Sequence, residues 1–253
     1  MRMFRPVVDR FCFLICWAYY TLGFFFFFSP VYLAAALIAR DRAAAFQSLN
    51  HWFYRGFFAL IRLITPGIRF DIPEEVRRIR GSVIVCNHLS FLDPILLISL
   101  FSRHSTIVKA GLFRLPVFHH VVQTAGYLPS GTTGGLEPVM IRQMERLADL
   151  FAAGGNFFVF PEGTRSRDGR LNPFHKGAFK IARRAGRPLD ILVIRNTGKF
   201  YPPGGCVFRT CRDITIRLER AGGFTAAEVK KTSLPELMAG AREIMERAAG
   251  IAD

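Results

Sequence analysis

Residues 83–94 read VIVCNHLSFLDP. The short β-branched run at the start predicts a buried strand that delivers His88 to the loop at its end. Asp93 and Pro94 are typical of a helix start, with the aspartate as N-cap and the proline in the first helical position. A strand, loop and helix in this order can bring Asp93 within hydrogen-bond reach of His88, which gives an oriented, basic imidazole. The stretch therefore outlines a general base at the end of a strand.

Strand-like and helix-like segments alternate along the rest of the chain. Strands are predicted at 82–86, 105–109, 156–160, 189–194 and 213–218, and helices near 94–101, 137–152, 175–185 and 234–249. This alternation predicts an α/β domain with a mixed, largely parallel sheet flanked by helices. The 253 residues, 51% of them hydrophobic, suffice for one such domain and an appendage.

The N-terminal segment is apolar, with no charged side chain between residues 11 and 38. Because about 20 apolar residues span a bilayer as a helix, residues 1–42 are predicted to form a helical membrane anchor. Gly23 and Ser29-Pro30 are expected to interrupt it. Two membrane modes follow: one helix over 11–29 that crosses the bilayer, or two shorter helices that form a hairpin in one leaflet. Residues 43–67 are predicted to be an amphipathic linking helix, and 68–253 the catalytic domain.

Charge and cysteine content restrict the class of protein further. Lys and Arg number 34 against 19 Asp and Glu, and the net charge of +15 favours an anionic partner. Membrane head groups, a phosphorylated substrate, an acidic carrier protein and nucleic acid all qualify. The 5 cysteines are an odd number, and Cys206 and Cys211 lack the usual zinc spacing. Free thiols and no metal site are therefore expected.

A second informative stretch, at 158–167, reads FVFPEGTRSR and again runs from a buried strand into a loop. In open α/β sheets ligands collect at the loops that follow the strands, so this loop and the His88 loop can face one cleft. Gly163 allows close approach of the backbone to a ligand, and Arg165 can grip a phosphate. Glu162, held beside Arg165, is expected to bind acceptor hydroxyls or to orient that arginine.

Together, the pattern Asn87-His88-x-x-x-x-Asp93 and the later FPEGTRS at 160–166 resemble the paired signatures of the glycerolipid acyltransferases. The resemblance is specifically to the bacterial 1-acylglycerol-3-phosphate acyltransferase family, and it covers residues 70–220. It implies that His88 deprotonates an acceptor hydroxyl, that Asp93 orients the histidine, and that the hydroxyl attacks an acyl thioester directly. No acyl-enzyme is implied.

The resemblance also implies a set of substrate-binding residues. These are Glu162, Gly163, Thr164, Arg165, Lys109 and Asn87. Lys109 is expected to be a second phosphate contact, and the turn KFYPPGG at 199–205 to line the acyl channel or touch the membrane. The chain departs from the family after Gly126, where YLPSGTTGG at 127–135 lacks the family's other arginine. That absence leaves the acceptor open.

The implied function is transfer of a fatty acyl group to the free hydroxyl of a lysophospholipid, most directly 1-acylglycerol-3-phosphate, in phospholipid biosynthesis. Another lysolipid, such as a lyso-ornithine lipid or a specialised lipid product, is an alternative acceptor. A noncatalytic lipid-binding protein on the same fold and a basic nucleic-acid-binding protein are the other classes considered. The His88/Asp93 pair argues against the first of these, and the apolar anchor against the second.

Co-substrates and location follow from the same resemblance. The acyl donor is expected to be acyl-CoA or acyl-carrier protein, with no further cofactor, no nucleic acid and no obligate protein partner. The basic residues between 165 and 187 are expected to form the surface for the donor and for anionic lipid. The expected location is the cytoplasmic (inner) membrane, with the catalytic domain facing the cytoplasm. His104, His119, His120 and His175 are expected at the surface or the edge of the core rather than as ligands.

Overall fold

The structure is a computed structural model that describes residues 5–205, 207–210 and 212–250. A sheet of 7 strands, ordered β1-β7-β6-β2-β5-β3-β4, forms its centre. The strands are β1 Ile68–Asp71, β2 Val83–Cys86, β3 His104–Val108, β4 Leu128–Pro129, β5 Asn156–Val159, β6 Leu189–Arg195 and β7 Ile214–Phe224. Neighbours pair in parallel except β6 and β7, which are antiparallel. The predicted mixed, largely parallel sheet is therefore confirmed.

Eleven α-helices surround the sheet in the described part of the chain. They are α1 Arg5–Ala18, α2 Ser29–Ile38, α3 Arg42–Ile64, α4 Glu74–Arg77, α5 Leu92–Leu100, α6 Pro116–Thr124, α7 Glu137–Ala152, α8 Gly177–Ala185, α9 Thr197–Phe200, α10 Ala226–Lys231 and α11 Leu234–Ala249. The four helices predicted within the α/β domain correspond to α5, α7, α8 and α11.

Side chains that alternate along β2 divide the core into two layers. Val83 and Val85 pack with α7, α8 and α11, whereas Ile84 and Cys86 pack on the opposite side with α3, α5 and α6. All four side chains are fully buried. Because both faces of the sheet are covered, its central strands read as continuous apolar runs, which is why sequence patterning located them.

Two short strands at the edges of the sheet lie outside the sequence-based predictions. The exposed residues of β1 are Arg69 and Asp71, so only two apolar residues mark this strand of 4 residues. The β4 strand has only 2 residues, too few for a periodic pattern to identify. Both strands lie at the edges of the sheet and pair along one side only.

The expected interruption of the N-terminal helix is wrong, because Pro6–Ile38 is one continuous helix of 33 residues. A π-helical stretch, Tyr19–Phe28, joins α1 to α2, and the Ser29 N–H donates to the carbonyl of Phe24. The wider turn accommodates Pro30, whose ring would clash with a carbonyl in a regular α-helix. By length and composition this helix can cross a membrane.

The N-terminal helix runs antiparallel to α3. The Cys12 thiol lies against the carbonyl of Ile64, and the Tyr32 hydroxyl donates to the side chain of Asn50. Between them, the Tyr19 hydroxyl donates to the carbonyl of Phe53 at 2.7 Å. The apolar N-terminal helix and α3 thus form a pair of antiparallel helices. The domain boundary at residue 42 stays a prediction, although α3 contributes buried residues to the core of the domain.

Candidate active site

The two motif loops meet where β2 and β5 end. These strands are parallel neighbours, so the loops that follow them emerge side by side at the carboxyl edge of the sheet. The Ser166 N–H donates to the carbonyl of His88 at 2.8 Å, and the His88 N–H donates to Glu162 Oε1 at 2.9 Å. The backbone of His88 is therefore fixed on both sides by the second loop.

The imidazole of His88 is oriented by Asp93. Asp93 Oδ2 lies 2.9 Å from His88 Nδ1 and also accepts the N–H groups of Leu89 and Ser90, at 2.6 and 2.7 Å. The aspartate is completely buried, and the ring of His88 stacks on Phe160 with centroids 4.3 Å apart. With Nδ1 facing the carboxylate, Nε2 is the nitrogen left for a reacting group.

Asp93 is not the N-cap that the sequence predicts. The helix begins at Leu92, so Asp93 is its second residue. The N-cap position is occupied by Phe91, whose side chain makes no capping hydrogen bond, and the Ser90 hydroxyl accepts the N–H of Leu92 at 3.3 Å. The Asp93 carboxylate instead points back to the loop, where the backbone N–H groups and His88 hold it.

Glu162 is 3% exposed and joins two loops. Its second carboxylate oxygen accepts the N–H of Asn172 at 2.9 Å, in addition to the bond from His88. Burial raises the pKa of Glu162, while the two backbone N–H groups oppose that shift. The expected pairing with Arg165 is not formed: among the described residues no ion pair joins the two side chains, because backbone amides hold both carboxylate oxygens. The position suits a role in holding His88.

Asn87 is buried and bridges two strands. Its amide accepts the N–H of Ile194 at 2.7 Å and donates to the carbonyl of the same residue at 2.9 Å. The side chain thus fixes the His88 loop to β6. Its amide oxygen and amide nitrogen are both bonded to Ile194, so neither atom is free for a substrate. Its predicted role in substrate binding stays a prediction, and the contacts favour a positioning role.

The predicted phosphate-binding cations lie on neighbouring loops. Arg165 is half-buried and Lys109 is exposed at the end of β3, beside β5. Neither forms an ion pair within the described residues. Gly163 adopts a φ of 68°, and a Cβ there would come within 3.0 Å of His175, so this position requires glycine. Thr164 is exposed beside it.

The segment that lacks the family's arginine is held by other polar groups. Ser130, just after β4, accepts the N–H of Ala110 at 3.3 Å. The Arg114 guanidinium contacts the same segment and donates to the carbonyl of Thr133 at 3.5 Å. Sequence inspection did not identify Arg114, since only the three-dimensional fold brings it to this loop.

An apolar cavity of about 210 Å³ adjoins the His88 loop. The N-terminal helix, α3, the start of α5 and the segment after β6 line it with Phe13, Cys16, Trp17, Tyr20, Phe57, Phe91, Leu92, Tyr201 and Phe208. The Ser90 hydroxyl donates to the carbonyl of Tyr201 at 2.8 Å, which connects this wall to the His88 loop. The predicted turn at 199–205 thus contributes Tyr201 to the cavity.

Among the remaining cysteines and histidines, Cys16 lines the apolar cavity, Cys86 is the last residue of β2, and His175 lies beside Gly163. Cys16 and Cys86 are buried free thiols, Cys12 is buried as well, and Cys206 and Cys211 lie outside the described residues. His104 is fully buried, not at the edge of the core, because its nitrogens contact the carbonyl of Phe101 and the hydroxyl of Tyr127. Across the described residues no cluster of three metal-ligating side chains occurs, and the absence of a metal stays a prediction.

Fold and site together define an α/β domain whose candidate base is a histidine oriented by a buried carboxylate, beside an apolar cavity. Residues 67–195 match the family model described as Acyltransferase. The chain belongs to this acyltransferase family. Membership implies an acyl donor and an acyl acceptor, and the apolar N-terminal helix indicates association with a membrane.

Relatives and a solved structure agree with this assignment. A chloroplastic 1-acyl-sn-glycerol-3-phosphate acyltransferase of Brassica napus is 41% identical over 48% of this chain and 35% of its own length. The human 1-acyl-sn-glycerol-3-phosphate acyltransferase beta is 30% identical over 72% and 66%. The chain spans about a third of the length of the plant relatives it matches. The crystal structure of the 1-acyl-sn-glycerophosphate acyltransferase PlsC from Thermotoga maritima has the same fold, with a TM-score of 0.73, 21% identity and coverage of 97% and 96%.

Proposed function

We propose that this protein transfers a fatty acyl group from an acyl thioester to the free hydroxyl of 1-acylglycerol-3-phosphate in phospholipid synthesis. The observation that carries the proposal is the 2.9 Å contact between His88 Nδ1 and Asp93 Oδ2, with Asp93 completely buried. A noncatalytic lipid-binding protein has no use for such an oriented base. The curated relatives, which are named as 1-acyl-sn-glycerol-3-phosphate acyltransferases, support this acceptor.

In the proposed reaction His88 Nε2 removes the proton of the acceptor hydroxyl as its oxygen attacks the thioester carbonyl. The resulting tetrahedral intermediate collapses with cleavage of the carbon–sulfur bond, and the protonated imidazole returns the proton to the thiolate that leaves. Asp93 holds the ring in the required tautomer and stabilises the imidazolium. Transfer is direct, so the reaction needs no serine or cysteine nucleophile.

Arg165 and Lys109 are proposed to bind the acceptor phosphate. Both cations lack an ion-pair partner within the described residues, and a guanidinium suits bidentate contact with phosphate oxygens. Arg114 lies in the short turn between β3 and α6, and its guanidinium reaches the loop beyond β4, where it can add a third cation to this side of the site. Asn87 and Glu162 act through the backbone, since their polar atoms already bind backbone groups.

The apolar cavity is proposed to receive an acyl chain at the membrane. Its walls include Trp17 and Phe91, which are 50% and 49% exposed, so the cavity opens towards the surface that the apolar helix presents. A lipid in the bilayer can thus bring its chain into the cavity and its head group to His88. The proposed location is the cytoplasmic (inner) membrane with the domain facing the cytoplasm, where acyl thioesters are available.

The donor is proposed to dock on a basic surface formed by Arg165, Arg167, Arg170, Lys176, Lys180, Arg183, Arg184 and Arg187. No ion pair neutralises these side chains within the described residues. An acidic carrier protein or the phosphates of coenzyme A are the complementary partners. A nucleic acid would suit the charge as well, but the neighbouring His88 site and the apolar helix favour a lipid enzyme.

A second acceptor class is favoured by one observation. The segment 127–135 lacks the further arginine that the resemblance leads us to expect, so the phosphate site has one cation fewer unless Arg114 supplies it. A lysolipid without a phosphate monoester, such as a lyso-ornithine lipid, would need fewer cations. The two acceptors differ in their dependence on Arg165.

The test is transfer by the purified full chain in detergent, with acyl-CoA and acyl-carrier protein, to a panel of lysolipids. We expect 1-acylglycerol-3-phosphate to be consumed and Arg165→Gln to raise its KM by about tenfold, the effect of one lost charge-assisted contact. Arg69→Gln, on an exposed edge-strand arginine, is the matched control and should leave KM unchanged. Absence of transfer to every lysolipid, with either donor, would overturn the proposal.

A further inference from the structure

A second, polar cleft lies at the amino ends of the parallel strands, whereas His88 lies at their carboxyl ends. Its volume is about 380 Å³, and it is lined by the start of α3, the segment before β3, the turn before β4 and one face of α7. His88 follows the carboxyl end of β2, whereas Arg103 in this cleft precedes the amino end of β3. Because β2, β5 and β3 are mutually parallel, the two sites are on opposite edges.

Two glutamines in the cleft have an unpartnered carbonyl oxygen. Gln47 Nε2 donates to the carbonyl of Ala125 at 2.9 Å, and Gln143 Nε2 donates to the carbonyl of Gln123 at 2.8 Å. These backbone acceptors fix which end of each amide is nitrogen. Gln47 is 4% exposed and Gln143 is 2% exposed, and neither Oε1 accepts a hydrogen bond from any described residue. The cleft therefore offers two buried acceptors without donors.

The two amides flank a single glycine. Gly126 has a φ of 83°, and a Cβ there would lie 3.6 Å from Gln143 Oε1 and 3.9 Å from Gln47 Nε2. The carbonyl of Gly126 is itself held by the Ser105 hydroxyl at 2.6 Å. The floor of the cleft is thus a fixed turn whose own polar groups are satisfied.

Charged side chains of both signs also line the cleft. Arg103 donates from both terminal nitrogens to Asp41 Oδ2, each at 3.3 Å. Arg146 and Asp149, on α7, form no ion pair with any described residue. The cleft thus combines a free guanidinium, which suits a phosphate, with a free carboxylate and two amide oxygens, which suit a hydrogen-bonding cation.

We propose that this cleft binds the head group of a zwitterionic aminophospholipid, with its phosphate on Arg146 and its primary ammonium on the glutamine oxygens and Asp149. A primary ammonium has three N–H donors, like that of lysine, which matches those three acceptor groups. The apolar N-terminal helix ends beside the cleft, where Leu37 and Ile38 are 72% and 81% exposed and Asp41 lies three residues further on. A bilayer lipid therefore reaches the cleft with its acyl chains along the end of this helix.

The test is calorimetric titration of the full chain in an amine-free detergent. Dihexanoyl phosphatidylethanolamine is compared with dihexanoyl phosphatidylcholine, whose quaternary ammonium has no N–H donor, and with soluble phosphoethanolamine. None of these compounds has the free glycerol hydroxyl of an acceptor lysolipid, so the result is separate from the proposed enzyme function. The variants are Gln143→Leu and Arg146→Gln, and the matched control is Arg142→Gln, an exposed arginine of α7 outside the cleft.

We expect the ethanolamine lipid to bind at least about tenfold more tightly than the choline lipid, because charge-assisted hydrogen bonds are lost in the second. Gln143→Leu should remove this difference, and Arg146→Gln should weaken both lipids while Arg142→Gln weakens neither. Equal binding of the two lipids to the unmodified protein would overturn the proposal and assign the glutamine oxygens to water. Equal affinities for soluble phosphoethanolamine and for dihexanoyl phosphatidylethanolamine would overturn the proposal that the ligand is a membrane lipid.

Discussion

The substitution Glu162→Gln distinguishes two roles of Glu162 in the loop at 160–166: holding the backbone of His88, or contacting the hydroxyls of the acceptor. The carboxylate of Glu162 accepts the N–H groups of His88 and Asn172, each at 2.9 Å, and it is 3% exposed. A glutamine has one carbonyl oxygen, so its amide nitrogen faces one of these two N–H groups. A buried N–H without an acceptor costs about 1–3 kcal/mol, and the loop relieves this cost by moving the backbone of His88.

Such a displacement acts on the rate of the chemical step. A shift of about 1 Å in a catalytic group can lower the rate by roughly 10²-fold. We expect kcat to fall by about 10- to 100-fold, with KM for the acceptor unchanged, because Glu162 holds His88 and its oxygens are not free for the acceptor. Steady-state kinetics with 1-acylglycerol-3-phosphate provides both constants. Glu145→Gln, an exposed residue of α7, is the matched control.

The pH dependence gives a second readout of the same substitution. Burial raises the pKa of Glu162, so this carboxyl takes up a proton at a higher pH than an exposed glutamate. The protonated acid has lost one acceptor, as glutamine has. The difference in kcat between the unmodified protein and the variant should therefore narrow as pH falls. A variant with unchanged kcat and a raised KM would refute the positioning role and restore the predicted contact with acceptor hydroxyls.

Three further outcomes are expected. Asp93→Asn should lower kcat by roughly 10³- to 10⁴-fold without loss of the folded state measured by circular dichroism; a decrease under tenfold would contradict its orienting role. Burial lowers the pKa of His104 to about 3, so the unfolded chain binds the proton first and stability falls as pH drops below about 6.5. Protonation of His104 in the unfolded chain should lower the free energy of unfolding by about 2 kcal/mol at pH 5 relative to pH 7.5. The free energy of unfolding of His104→Gln should therefore depend less on pH than that of the unmodified protein; an equal dependence in the two proteins would exclude His104 as the source of the effect. The full chain should require detergent because the 33-residue helix Pro6–Ile38 is apolar; a monodisperse species without detergent would contradict the anchor.

The central strands and the long amphipathic helices could be predicted because their periodicity is set by burial. Strand β2 is buried on both faces, and α7 and α11 each place one face in the core. Each of these elements is recognisable within its own stretch of sequence. Short edge strands such as β1 could not be recognised in this way, because half of its residues are polar.

The pairing of His88 with Asp93 was predictable because both residues lie on one local turn. Their separation of five positions fixes the geometry once a strand precedes the turn and a helix follows it. The roles of Glu162 and Asn87 were not predictable, because each side chain bonds to a backbone group far away in the sequence. The separations are 74 positions for Glu162 and 107 positions for Asn87. Long-range contacts of this kind follow from strand order, which composition and periodicity do not specify.

The continuity of the N-terminal helix was obscured for a different reason. Proline and glycine are correct signals of helix interruption in a regular α-helix, but the π-helical stretch before Pro30 provides the needed space. The change to π-helical geometry, together with packing of the helix on α3, thus keeps the helix continuous despite the glycine and the proline. The polar cleft with Gln47 and Gln143 likewise needed the assembled fold to be seen.

His88→Ala tests the central claim most directly. The variant removes the imidazole and leaves the backbone bonds of residue 88 to Glu162 and Ser166 available. Acyl transfer is measured with the acceptor and donor on which the unmodified protein works, and folding is verified by thermal unfolding. The proposed mechanism predicts near-complete loss of turnover by a folded variant. Turnover that survives the substitution would contradict the assignment of His88 as the general base.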